Sequence, residues 1–393
     1  MEITFSIRMK AFSSSIFSEL SQYRNDKLSQ GIEMIDLSIG SPDLPPPAFL
    51  VHTLAKEASD RTKYGYPLTG TKKFHQTVCE FYERKYGVKL HADKEIVQLM
   101  GSQDGLVHLP MVLADPGDYI LVPDPGYTAY ATGIAMAGAF PYFMPLKKEN
   151  YFLPDFSLIP EEVARQTKLM ILNFPGNPIP AIATRELFQE AIAFAKKYSI
   201  VILHDFAYSE LYYSDEPPIS FLSIEGAKEV GIEMNSLSKS FSMAGCRIGY
   251  ASGNEKIIQA LQQFKSNLDY GVFFPIQEAG IQALKNGDSF CEETRRIYKA
   301  RRDALVDGCN KIGWSIEKPK AGMFVWAEIP KEFTSKEFAY ALMDEAQVVV
   351  TPGNAFGPSG EGYVRIALVQ SEEIIIQAVK NIAKSGLFSI TVH

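Results

Sequence analysis

Gly231-Ile-Glu-Met-Asn-Ser-Leu-Ser-Lys-Ser-Phe-Ser-Met-Ala-Gly-Cys-Arg-Ile-Gly-Tyr250 carries the reading of this chain. Gly231–Asn235 reads as a short strand. It gives way at once to a turn in which Lys239 stands among small hydroxyl residues, with Arg247 eight positions later. The segment is apolar enough to be buried, and burial disfavours an ammonium, lowers the lysine pKa and makes the amine a nucleophile toward an aldehyde. The hydroxyls and the arginine suit a phosphate. An aldehyde carrying a phosphate describes pyridoxal phosphate, although a lone lysine in a Ser-rich turn is by itself more often structural.

Outward from this stretch, short apolar runs alternate with amphipathic ones from about Pro47 to Asn267, the pattern of an α/β sheet with crossover helices. Strands are expected at Glu95–Met100, Tyr119–Val122, Ala139–Met144, Lys168–Asn173, Ile200–His204, Gly231–Asn235 and Ile248–Ser252. These make one wide, mostly parallel, seven-stranded sheet. Lys72–Tyr86 and Thr184–Tyr198 have helical spacing, and a long charged helix is expected around Glu292–Lys311. Strands at Gly322–Ile329, Val348–Thr351 and Tyr363–Leu368, with helices near Ser335–Glu345 and Ser371–Lys384, form a smaller α+β unit. The first forty or so residues, ending in the strand-like run Met34–Ile39, are too few to fold alone and are expected to pack on that unit. The resulting division is a large domain, 47–288, and a small domain built from 1–46 and 289–393.

Composition narrows the function. The 393 residues are 46% hydrophobic and 22% charged, and the net charge of -7 and pI near 5.6 argue against nucleic acid as a partner. The N-terminus lacks the pattern of a signal peptide, and no apolar run is long enough to span a bilayer, so a cytoplasmic protein without a membrane partner is expected. The four cysteines are widely spaced and show no disulfide framework. No histidine pair stands at a zinc spacing, and no metal is expected. His204, just before Asp205, reads best as a packed or hydrogen-bonded core residue.

Ligands of open α/β sheets sit beyond the carboxyl ends of the strands, where this chain places polar residues four times. Gly101-Ser102-Gln103 can cradle an anion at a helix start, a weak signal alone. Pro175-Gly176-Asn177-Pro178 projects Asn177 from a stiff loop, and a plain Pro/Gly turn reads equally well. Asp205, with Tyr208 three residues on, would pair with a pyridinium nitrogen or cap a helix. The fourth is the Lys239 turn, with Ser236 and Ser238.

With this set in view, the chain resembles the fold-type I pyridoxal-phosphate enzymes of aminotransferase class I/II, related to aspartate, alanine and LL-diaminopimelate aminotransferases. The resemblance runs from about Asp36 to Leu368. It implies that Lys239 is the Schiff-base lysine and proton carrier, that Asp205 meets the ring nitrogen, and that Asn177 and Tyr208 hold the ring oxygen. Ser102, Gln103, Ser236, Ser238 and Arg247 would hold the phosphate end, and Tyr127 would stack on the ring. Arg365, in Gly362-Tyr363-Val364-Arg365, would grip the substrate α-carboxylate, with Gly40 allowing close passage of the N-terminal segment and Asn177 assisting.

Two departures stand out. The family's Asn-Pro-Thr-Gly is here Asn177-Pro178-Ile179-Pro180, so that turn must be built differently. The tyrosine the family donates across a homodimer to the phosphate is matched by Tyr66 after a one-residue deletion, with Tyr64 as the other choice. The implied activity is ping-pong transamination between an L-amino acid and a 2-oxo acid, 2-oxoglutarate or pyruvate. A β-eliminating C-S lyase would use the same lysine, ring and carboxylate clamp, and a cofactor-binding regulator without turnover is a further reading that the complete polar set disfavours. Substrate choice would rest on the segment around Phe12–Phe17, the region near Tyr64–Tyr66 and the partner's 270–274. Their apolar character suggests a neutral or amphipathic side chain.

Overall fold

The computed structural model describes residues 3–6, 9, 12 and 16–388. Among them the strands are β1 (Ile35–Asp36), β2 (Ile96–Leu99), β3 (Tyr119–Asp124), β4 (Phe140–Pro145), β5 (Thr167–Asn173) and β6 (Val201–Asp205). β7 (Gly231–Ser236), β8 (Gly249–Gly253), β9 (Phe324–Glu328), β10 (Val348–Val349), β11 (Thr351–Pro352) and β12 (Tyr363–Ala367) follow. Seven of them form one sheet in the order β2-β8-β7-β6-β5-β3-β4, parallel except for β8, which runs against both neighbours. Each expected strand of the large sheet is present. The inner strands are buried on both faces, as a sheet covered by helices on each side requires.

One face of this sheet packs against helices Lys72–Tyr86 and Arg185–Tyr198 through Phe74, Val78, Tyr82, Phe188 and Ile192. The other meets Ser102–Leu113, Ala129–Ala137 and Glu255–Lys265 through Leu106, Leu109, Ile134, Ile258 and Leu261. Both helices anticipated from periodicity begin at a threonine cap: Thr71 Oγ1 accepts from Phe74 N–H and Thr184 Oγ1 from Leu187 N–H, each at 3.2 Å.

A second sheet, β11-β12-β9, is antiparallel and shares a core with helices Asp288–Lys311, Ser335–Ala346 and Glu372–Lys384. The long helix starts at Asp288, four residues earlier than expected, directly after Gly287 ends the helix Phe274–Asn286. The run Val348–Thr351 is not one strand. Val349 pairs with Asp36 and Thr351 with Arg365, so the chain changes sheets at Val350, and Pro352, lacking an N–H, takes an edge position. The N-terminal segment does pack on the C-terminal one, with β1 parallel to β10 through Ile35 and Val348.

Register positions the chemistry. Asn173 of β5 lies beside Asp205 of β6, and Asp205 beside Met234 of β7, so the carboxyl ends of three parallel strands reach one level. Ser236 closes β7 just beyond it.

Candidate active site

Beyond these strand ends lies a cavity of about 340 Å³, and it brings together every anticipated site residue except Tyr66. Tyr66 is 78% exposed, outside the cavity, with its ring 5.1 Å from that of Tyr270.

Lys239 sits on the single helical turn Leu237–Ser240 that follows β7, and Ser236 Oγ caps this turn by accepting from Ser238 N–H at 3.2 Å. Its Nζ donates to the carbonyl of Gly40. Burial, and after it the charges of Arg365 and Arg247, lower this amine to about 8. Gly40 has to be small: a Cβ there would stand 3.0 Å from the Phe324 ring and 3.7 Å from Arg365 Nη1.

Asp205 is 4% exposed, and burial raises its carboxyl above the ordinary range. The hydroxyl of Tyr130, donating to Oδ2 at 2.8 Å, pulls it back, as does the Ala207 N–H 3.3 Å from Oδ1. No helix follows Asp205 directly, which removes the helix-cap reading. Tyr130 was not anticipated, although it lies three residues after Tyr127 in the segment leaving β3, a spacing that sets two side chains on one side.

Asn177 is held by its backbone N–H, which donates to Asn173 Oδ1 at 2.9 Å, while Asn173 Nδ2 donates to the Asp205 carbonyl at 2.8 Å. Its own Oδ1 accepts from Arg365 Nη1 at 2.8 Å. The altered Asn-Pro-Ile-Pro turn keeps its asparagine in the cavity. Arg365 also donates to the Ser38 carbonyl at 2.6 Å and lies over the rings of Phe324 and Phe356, 4.3 and 4.7 Å from their centroids. Burial lowers it to about 10. Tyr208 lines the same space with its ring edge-on to Phe324.

At the opposite end, Ser102 and Gln103 open the helix Ser102–Leu113 beneath Arg247. Gly101, at φ +78°, leaves the room Arg247 needs, since a Cβ there would lie 2.5 Å from Nη2. Tyr127 reaches across and donates from its hydroxyl to Gln103 Oε1 at 3.3 Å.

Comparison with known proteins settles the family. The sequence profile described as aminotransferase class I and II matches residues 32–382. The chain belongs to the class I and II aminotransferases. An LL-diaminopimelate aminotransferase of Moorella thermoacetica is 43% identical over 96% of this chain and 97% of the relative. One from Dehalococcoides mccartyi is 44% identical over 95% and 96%. A substrate-bound BacF structure from Bacillus subtilis superposes with a TM-score of 0.94 at 42% identity, covering 98% of each chain. The β-eliminating lyase finds no support among these relatives.

This aminotransferase is therefore a pyridoxal-phosphate-dependent transferase, and its residues fit that cofactor. A buried carboxylate faces a space that calls for a cation, a depressed amine stands in the same cavity, and the Gly101 cradle lies under an arginine at a helix start.

Proposed function

We propose that this aminotransferase moves an amino group between an L-amino acid and a 2-oxo acid, 2-oxoglutarate or pyruvate, in two ping-pong half-reactions. One observation carries the reading: Lys239, Asp205 and the Arg365–Asn177 pair converge on a single cavity. When bound, pyridoxal phosphate supplies an aldehyde for the lysine and an electron sink for the charge left at Cα. Arg365 would bind the α-carboxylate as a bidentate fork and turn the Cα–H bond toward Lys239, whose amine would take and return the proton. Asp205 accepts the ring N–H. Asn177 commits Oδ1 to Arg365, which leaves Nδ2–H to donate to the ring oxygen together with the Tyr208 hydroxyl. Ser102, Gln103, Ser236, Ser238 and Arg247 hold the phosphate, and Tyr127 covers the ring face.

The same reading includes a homodimer in which Tyr66 completes the partner's phosphate site, supported by the exposed rings of Tyr64, Tyr66 and Tyr270. It assigns a large unit at 47–288 and a small one at 1–46 and 289–393, supported by two core clusters that follow this division except for Ala207, Tyr208 and Leu211 in the second and Cys291 in the first. It places the protein in the cytoplasm; no helix among the described residues is long and apolar enough to cross a membrane.

For the amino donor, a cavity of about 260 Å³ adjoins the first at Phe17, Ile39, Gly40 and Arg365. Leu20 and Val349 make its walls apolar, and the Arg24–Asp36 ion pair lines it as well. A long aliphatic side chain with a polar end suits it, as does the substrate named for the diaminopimelate relatives. Of the segment around Phe12–Phe17, residues 13–15 lie outside the described residues. The test is a panel of amino donors, LL-diaminopimelate included, with 2-oxoglutarate and pyruvate as acceptors. Glutamate or alanine should accumulate; cofactor-loaded protein that transfers no amino group in any combination would overturn the reading.

A further inference from the structure

His204 precedes Asp205 on β6, and its ring is fully buried. Nε2 lies 3.0 Å from the Phe174 carbonyl and Nδ1 lies 2.8 Å from Glu233 Oε2 on the neighbouring β7. A carbonyl only accepts, so Nε2 must carry a proton. Glu233 is itself wholly buried and already takes three donors at 2.8 Å: the Tyr82 hydroxyl and Ser220 Oγ on Oε1, and the Phe221 N–H on Oε2. Such a donor set belongs to an ionised carboxylate, which leaves the ring an acceptor on each side. Only the imidazolium donates to both.

We propose that His204 is a positioning residue for the transamination, a cation held by Glu233 that grips the Phe174 carbonyl and sets a positive charge beside Asp205. The grip fixes the start of the loop Pro175–Pro178, and with it Asn177 and the Arg365 contact. The charge adds to the Tyr130 and Ala207 donors in countering the burial that raises the Asp205 carboxyl. Phe188, Phe206 and Phe221 pack their rings around the imidazole, and Tyr82 spends its hydroxyl on Glu233. A buried ion pair is also a poor source of stability compared with apolar side chains of equal volume, which points to a use beyond packing.

The direct test is nitrogen-15 NMR of histidine-labelled cofactor-free protein and holoenzyme, with the His204 signals assigned by their loss in His204→Gln. Both ring nitrogens should carry protons at neutral pH, as the two acceptors around the ring require; one unprotonated nitrogen there would overturn the proposal. His204→Gln keeps a donor for Phe174 and loses the charge. It should lower kcat about tenfold, with the amino-acid KM changed less than about twofold, and speed cofactor release. His204→Phe loses the grip as well and should also raise KM. Wild-type kcat and cofactor release in His204→Gln would refute the charge role. If that variant does not fold, Glu233→Gln removes the same charge pair and must give the same kcat loss.

Discussion

A solvated lysine is almost wholly protonated at neutral pH, with a pKa of about 10.4, whereas Lys239 titrates at about 8. Attachment of pyridoxal phosphate to the cofactor-free protein should therefore accelerate as pH rises and level off just above 8, measured by absorbance and borohydride trapping. Lys239→Ala should form no such bond and lose about 10²–10⁴-fold in turnover from proton transfer alone. The shift also has a sign for stability. The unfolded chain holds this proton to higher pH, so the contribution of Lys239 grows from about pH 8 to about pH 10.5 and is lost as pH falls through 8. Denaturant melts of wild type against Lys239→Met across that window should show the gain in wild type only. At Asp205, Tyr130→Phe removes a hydrogen bond to a buried charge, worth about 1.5–3 kcal/mol. We expect kcat/KM to fall about 10- to 100-fold and the melting temperature to drop by several degrees. Arg365 came only from the resemblance of its segment to the family, whereas Lys239 and Asp205 were legible because a lone charge in an apolar run asks for a partner. Tyr130 was not, since a buried tyrosine in an apolar segment looks like core until its hydroxyl is seen to meet a carboxylate.

Among the elements, strands and helices with a polar face could be read directly: Lys72–Tyr86 alternates faces and has a threonine in front and Gly87 behind. Ala129–Ala137, Ala-Tyr-Ala-Thr-Gly-Ile-Ala-Met-Ala, escaped because it is apolar nearly all round and so has no period to detect. The split of Val348–Thr351 between two sheets also lay beyond reach, because three consecutive valines look alike whichever neighbour they pair with. The turn into helix Ser102–Leu113 is the element most open to a decisive substitution. Gly101→Ala would put a side chain at φ +78° and a Cβ against Arg247. The strain is about 1–3 kcal/mol, and the displaced arginine should weaken cofactor binding about tenfold or more. Equilibrium dialysis measures this, with circular dichroism showing the helix content retained.

For the whole molecule, Tyr66 poses the question that one chain answers only in company. If it serves the partner's site, mixing inactive Lys239→Ala with Tyr66→Ala protein should regain activity, because each hybrid dimer then holds one site with both residues intact. If Tyr66 served its own chain, no such site would form and activity would stay at the Tyr66→Ala level. Co-purification of the two variants through an affinity tag carried by one of them confirms that hybrids exist. The meeting of the N-terminal segment with the C-terminal unit could be anticipated, because about forty residues are too few to fold alone. Which strand they join could not. That strand is β10, and the pairing of Ile35 with Val348 has a bearing on how the protein is born. A ribosome releases the first partner about 300 residues before the second, roughly 15–60 s at 5–20 residues per second. During that interval Leu37 and its neighbours have no mate, so nascent chains stalled short of residue 348 should be the form of this protein that molecular chaperones hold.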